Sequence, residues 1–193
     1  MPKYNFGENE QDLLAQNILG IDNLEQLEKA EQFVFSIRAL EFEVGIYTIK
    51  GLTMEGLLDL HRHLFQDIYQ FAGKVRNVQL IKETTRFCQF QYIESCATEI
   101  FEEMNKENTW STKAIAVERL SYYKAELNLL HPFREGNGRT IRIFIQYLAK
   151  KKGYYWDYTK LESSIYLKAM KLSIYDTSLL QQIFENTLAQ KTF

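Results

Sequence analysis

Residues His131 to Arg142, His-Pro-Phe-Arg-Glu-Gly-Asn-Gly-Arg-Thr-Ile-Arg, concentrate the chemistry of this chain. An imidazole exchanges protons near neutral pH, so His131 is a candidate general base. Gly136, Asn137 and Gly138 offer successive backbone N–H groups just where a helical pattern begins, with Ile141, Ile145 and Leu148 on one face. Such a nest at a helix start binds anions. Arg139 and Arg142 project from neighbouring turns and can grip more than one phosphate. Glu135, just before the nest, offers carboxylate oxygens to a hard divalent cation. Taken singly, His-Pro-Phe is a helix stop and Gly-Asn-Gly a turn. Two helices can be joined without these charges, so the combination reads as a nucleoside triphosphate site with its own general base.

The elements that must position this stretch are helices. Proline occurs only at Pro2 and Pro132, which favours long uninterrupted helices. A helix is expected from about residue 23 to 42, capped by Asn23. Thr53 can cap the next, whose stripe is Leu57, Leu60, Leu64, Ile68 and Phe71 and whose end is Gly73. Val75 to Phe90 turns β-tending, with Val78, Leu80 and Phe87 around Lys82-Glu83-Thr84-Thr85, the chain's one hairpin candidate. Residues 94–106 read as helix. Ala116, Leu120, Tyr123, Leu127 and Leu130 form a helical stripe running straight into His131, where Pro132 stops it. Tyr154 to Asp157 reads as a connection, followed by helices near 160–172 and 178–188. The expected class is all-α, one domain over 1–193 with a core at about 53–155, N-terminal helices in 9–45 and C-terminal helices in 158–190.

Bulk properties narrow the function classes. At 193 residues and 46% hydrophobic content the chain can bury a core without staples. A net charge of −2 excludes the large basic excess of a nucleic-acid binder. Two cysteines, Cys88 and Cys96, make no disulfide framework, and Cys88 lacks a nearby basic cluster that would make it reactive. With no secretory signal and no apolar run long enough for a bilayer, a cytoplasmic protein without membrane or nucleic-acid partners is expected. His61 and His63, two apart on a helix, point to different sides and read as packing residues rather than a metal pair. Tyr122 and Tyr123 read as helix packing.

The central stretch matches the Fic family signature, His-x-Phe-x-Asp/Glu-Gly-Asn-Gly-Arg-x-x-Arg, at every fixed position. Leu60 to Arg76 resembles the family's helix leading into its flap. Tyr4 with Leu13 to Ile21, then Leu24, Leu27 and Glu28, is similar to the start of small bacterial Fic toxins. The resemblance implies a Fic-like helical bundle with one small hairpin flap. It implies a protein adenylyltransferase that moves AMP from ATP to a Tyr, Thr or Ser hydroxyl of a target protein. His131 would then be the base and Glu135 the Mg²⁺ ligand. Gly136, Asn137, Gly138, Arg139 and Arg142 would hold the phosphates, Asn137 adding a side-chain hydrogen bond. Lys82, Glu83, Thr84, Thr85, Arg86 and Phe87 would form the flap that docks the target as an added strand. Gly138 and both arginines resemble the AMP-transferring majority, not the branch with Lys at that position that phosphorylates or the one that transfers phosphocholine. Transfer of another nucleotide or phosphoryl group, and a nucleotide-binding module without catalysis, stay as alternatives. The toxins it resembles often modify type II topoisomerase subunits.

Many Fic proteins carry Ser/Thr-x-x-x-Glu-Gly/Asn on a helix whose glutamate blocks the second motif arginine, here Arg142. Glu8, Glu55, Glu107, Glu135 and Glu185 precede Gly or Asn, yet the residues four before them are Tyr4, Gly51, Glu103, His131 and Gln181. Glu185 then reads as an exposed helix residue. The expectation is a toxin that does not inhibit itself and a small antitoxin that supplies the glutamate in trans.

Overall fold

Three helices start where a side chain of the right type precedes them. The computed structural model describes residues 9–82 and 85–190; Tyr4, Glu83 and Thr84 lie outside the described residues. After α1 (Asn9–Gln16), Asn23 accepts from Gln26 N and opens α2 (Leu24–Glu43). Thr53 accepts from Gly56 N at 3.0 Å and opens α3 (Met54–Phe65). Thr112 accepts from Ile115 N at 3.3 Å and opens α5 (Lys113–Leu130). Each cap satisfies one N–H that the first turn leaves orphaned. Between them stand β1 (Ile81–Lys82), β2 (Thr85–Arg86) and α4 (Ile93–Lys106). Then follow α6 (Asn137–Lys151), β3 (Tyr154–Trp156), α7 (Ser163–Leu172), α8 (Ser178–Thr187) and β4 (Leu188–Gln190).

Helix α5 is the hub. It packs against α4, α6 and α8, and Ala116, Leu120, Tyr123 and Leu127 on it are 0% exposed. These four recur at helical spacing on one face, while Ala114, Ile115 and Glu118 stay exposed. Burying each such leucine contributes about 1.5–3 kcal/mol. The main buried cluster runs from Leu13 to Leu188. Among the described residues no helix is long and apolar enough to cross a membrane.

Two expectations change in detail. The third helix stops at Phe65 instead of reaching Phe71, although Ile68 and Phe71 stay buried. There the backbone pairs with the chain after α1, Ile18 N donating to Ile68 O at 2.9 Å and Gln70 N to Gln16 O at 3.1 Å. Those bonds cannot coexist with a continued helix. The segment read as a connection, Tyr154–Trp156, is a strand paired antiparallel with Leu188–Gln190, so a second small sheet joins the hairpin. Its two-residue period is visible only in burial, with Tyr154 and Trp156 inward and Tyr155 outward.

Candidate active site

Helix α5 ends on strain. His131 takes φ 45° and ψ 60°, the left-handed region, and no other non-glycine among the described residues has positive φ. That geometry costs about 1–2 kcal/mol and recurs at functional sites. Its N–H still bonds Leu127 O at 3.1 Å, while Pro132 forbids another turn. Arg76 holds the bend. Its Nε donates to His131 O at 2.7 Å, Nη1 to Val78 O at 2.6 Å and Nη2 to Cys88 O at 2.5 Å. Its backbone N–H adds a bond to Pro132 O at 2.9 Å. The imidazole lies flat on Phe87, centroids 3.7 Å apart and planes 13° apart. Nδ1 sits 3.1 Å from Asn128 O, which can only accept, so the neutral ring carries its hydrogen on Nδ1 and Nε2 is the basic nitrogen. Burial is the main force pushing this imidazole down, to about 3, with Glu135 pulling the other way. It is therefore neutral at pH 7, and an anion placed beside it would strengthen it as a base.

The loop from Pro132 to Gly136 is fixed from two sides. Asn137 Nδ2 donates to Phe133 O at 2.7 Å and its Oδ1 accepts from Phe133 N at 2.8 Å, so both ends of its amide serve the loop. Its side chain is 2% exposed. The side-chain bond to phosphate expected of Asn137 is thus replaced by a clamp, and its backbone N–H is what lines the nest. His61, from α3, lies flat on Phe133 at 3.7 Å and 5°. Gly73 N donates to its Nδ1 at 2.8 Å, so Nε2 carries the hydrogen and donates to Glu135 O at 3.0 Å. Gly136 has φ 79°, and a Cβ there would meet Phe65 Cε2 at 2.5 Å. A Cβ on Gly138 would meet nothing within 4 Å. The first backbone bond of α6 is Thr140 N to Gly136 O at 3.0 Å. The N–H groups before it have no helical acceptor, as at every helix start.

The charged groups divide. Arg139 Nη2 is 2.5 Å from Glu31 Oε1 of α2 and 3.6 Å from Glu135 Oε1, and its guanidinium covers Phe65 at 4.9 Å. Tyr69 OH completes this set by donating to Glu31 Oε2 at 2.5 Å. Arg142 covers the Tyr158 ring at 5.5 Å, and its buried Nε has no hydrogen-bond partner among the described residues. His131, Glu135, the Gly136–Gly138 backbone, Arg139 and Arg142 all line one cavity of about 730 Å³, as do Lys82, Thr85 and Phe87 of the hairpin segment. Among the described residues no cluster of three or more His, Cys, Asp or Glu could enclose a metal. A cation here would have Glu135 as its carboxylate and take its other oxygens from phosphates, which is how Mg²⁺ is usually held.

The Fic/DOC family matches residues 51–149. This chain belongs to that family. Protein adenylyltransferase VbhT of Bartonella schoenbuchensis is 36% identical over 186 residues, which span 91% of this chain and 37% of VbhT. Probable protein adenylyltransferase Fic of Escherichia coli K12 is 34% identical over 180 residues, 92% of this chain and 88% of the relative. Two solved structures share the Fic fold. The BepC effector protein of Bartonella tribocorum with bound AMPPNP superposes with TM-score 0.81 at 18% identity, over 92% of this chain and 93% of BepC. The N-terminal Fic domain of a Bartonella quintana effector with bound ADP gives 0.84 at 19%, over 92% and 91%.

Around the Fic motif the hairpin is short: Ile81 pairs Arg86, and Lys82 pairs Thr85. Leu80 and Phe87 pack together beneath it, and Arg86 is exposed. Glu185 lies on α8, more than half exposed, and pairs with Lys113 at the far end of α5 from His131. His61 and His63 diverge as expected, the latter stacking on Tyr47 at 3.8 Å. Cys88 lies 3.8 Å from Cys96, and burial pushes its thiol up to about 11. Tyr122 and Tyr123 bond Glu103 and Glu107 of the α4 end, a packing role. Sequence reasoning missed Arg76, Glu31 and the bonding role of His61. Their partners in the motif, His131, Arg139 and Glu135, lie 55 to 108 residues away, where no local spacing points to them.

Proposed function

We propose that this Fic-family adenylyltransferase transfers AMP from ATP to a hydroxyl side chain of a target protein and acts as the toxin of a toxin–antitoxin pair. The single observation that carries the chemistry is the basic Nε2 of His131, set by the Asn128 carbonyl, in the same cavity as the open amides that start α6. His131 would take the proton of the target hydroxyl as its oxygen bonds to the α-phosphorus and the bond to pyrophosphate breaks. The α6 amides would receive the charge on the transferred phosphate, and Arg142 would hold the far end of the triphosphate. Glu135 would hold Mg²⁺, which would neutralise phosphate charge when bound. Lys82, Thr85, Arg86 and Phe87, with Glu83 and Thr84, would dock the target as an added strand. A type II topoisomerase subunit is the target class to try first.

Two observations support control in trans. Glu185 is engaged with Lys113, outside the cavity, and Glu31 reaches Arg139 but not Arg142. A partner's glutamate could therefore take Arg142. Labelled transfer tests the whole reading. Label from α-labelled ATP should appear on protein and label from γ-labelled ATP should not, and His131→Ala should cut transfer about 10²-fold or more while nucleotide still binds. Label from γ-labelled ATP would mean phosphorylation, and nucleotide binding without any label would mean a binding module.

A further inference from the structure

Lys124 is the one charged side chain in the middle of α5 that is fully buried, at 0% exposure. Lysines are almost never fully buried unless paired. This one is not paired: among the described residues its Nζ has neither a hydrogen-bond partner nor an ion pair. The Trp156 and Tyr166 rings flank it, each centroid 5.3 Å from Nζ. Cation–π contact replaces part of the lost hydration, but not all of it.

What lies in front of Lys124 is the cavity that His131 and Arg142 also line. Arg142 approaches from α6, and the two positive charges repel. Arg142 Nε also lacks a partner, and neither residue has a carboxylate in ion-pair range among the described residues. A fully buried ammonium and a half-buried guanidinium lining one cavity without a counter-charge are costly. A ligand with concentrated negative charge would remove that cost.

Helix geometry places the pair. Lys124 precedes His131 by seven residues, roughly 10 Å back along α5, and Arg142 follows Gly138 by four, roughly 6 Å along α6. The two helices pack against each other and are joined by the motif loop, so both cations lie on the inner side of the nest. A phosphate chain seated at the nest and running inward ends between them.

We propose that Lys124 and Arg142 together form a terminal-phosphate subsite, making Lys124 a specificity residue that selects a nucleoside triphosphate over a diphosphate. This rests on the adenylyltransferase reading, yet Lys124 lies outside the Fic motif. A supporting consequence concerns protons. Burial first, and then Arg142, push the Lys124 ammonium down to about 7, so part of the empty protein carries it neutral at pH 7. The titratable or charged groups facing it are Arg142 from α6 and Tyr166 from α7, whose hydroxyl burial pushes above its ordinary range; β3 contributes Trp156, which does not titrate. A terminal phosphate would restore the charge, so triphosphate binding should take up a proton.

The test is calorimetric titration of the whole chain with a non-hydrolysable ATP analogue, ADP and AMP, with Mg²⁺, in two buffers of different ionisation enthalpy. Lys124→Met keeps the length of the stem and removes the uncompensated charge. It should lose about 10-fold or more in triphosphate affinity, the worth of a charge-assisted hydrogen bond. ADP and AMP affinities should stay unchanged and the proton uptake should vanish. If Lys124→Met does not fold, Lys124→Arg substitutes: it should keep the triphosphate preference but lose the proton uptake, because guanidinium does not titrate. Unchanged triphosphate affinity in Lys124→Met, or equal loss for all three nucleotides, overturns the subsite; so does loss of the preference in Lys124→Arg. Failure of the wild-type chain to bind any nucleotide would instead overturn the adenylyltransferase reading itself.

Discussion

Asn137→Ala separates two roles for the motif asparagine. In the structure its amide gives one bond to Phe133 O and takes one from Phe133 N, at 2.7 and 2.8 Å, all of it buried. Alanine would orphan a buried N–H and a buried C=O on the strained loop. Each orphan costs about 1–2 kcal/mol, at the lower end of the range for buried polar groups. The loss should come to roughly 3 kcal/mol, or about 6–12 °C in Tm for a chain of this size. Loosening the loop also frees His131 and the α6 amides to drift, so kcat for AMP transfer should fall by more than nucleotide affinity does. Thermal unfolding, equilibrium nucleotide binding and single-turnover transfer from α-labelled ATP, run side by side, give the three numbers. A variant with wild-type Tm but strongly weakened nucleotide binding would refute the clamp and return Asn137 to the phosphates.

Two further predictions follow from the same geometry. Arg76→Ala leaves the carbonyls of His131, Val78 and Cys88 without their donor; it should cost roughly 3 kcal/mol and cut transfer more than nucleotide binding, and Arg76→Lys, lacking the planar fork, should not restore it, so full rescue by lysine in the transfer assay would argue against the bracket. His61 and His131 are both pushed by burial from 6.5 to about 3; the unfolded chain then binds more protons between those values, so stability is complete above pH 6.5 and lost towards pH 3, by about 1.4 kcal/mol per pH unit for each histidine in mid-window, and a urea midpoint flat from pH 6.5 to 5 would contradict this.

The contiguous part of the site was legible because helix-start geometry binds its parts into twelve consecutive residues. The stripe on α5 pointed correctly at His131, and Thr53 and Asn23 cap the helices they were expected to cap. What brackets the motif was not legible. Arg76, His61 and Glu31 act through folding contacts from α2, α3 and the segment after α3, and a lone arginine or histidine has no spacing to betray it. Lys124 did leave a trace. It falls at helical spacing between Leu120 and Leu127, a charge inside an apolar stripe, where a solvated lysine has no place. The strand at Tyr154–Trp156 was too short for its alternation to register, and its partner lies past α8.

The small apolar pair under the hairpin carries a consequence of its own. Leu80 and Phe87 form a cluster separate from the main core, so the hairpin side of the cavity rests on few contacts while the Gly-Asn-Gly side is built into α5 and α6. Sequence change in the hairpin can therefore accumulate without unseating the motif loop, and if the hairpin docks targets as proposed, one nucleotide engine could be refitted to new ones. The limit is Phe87, because the same ring that anchors the hairpin lies flat on His131. Any lineage that retargets this enzyme has to leave that ring in place or find another surface to steady its base.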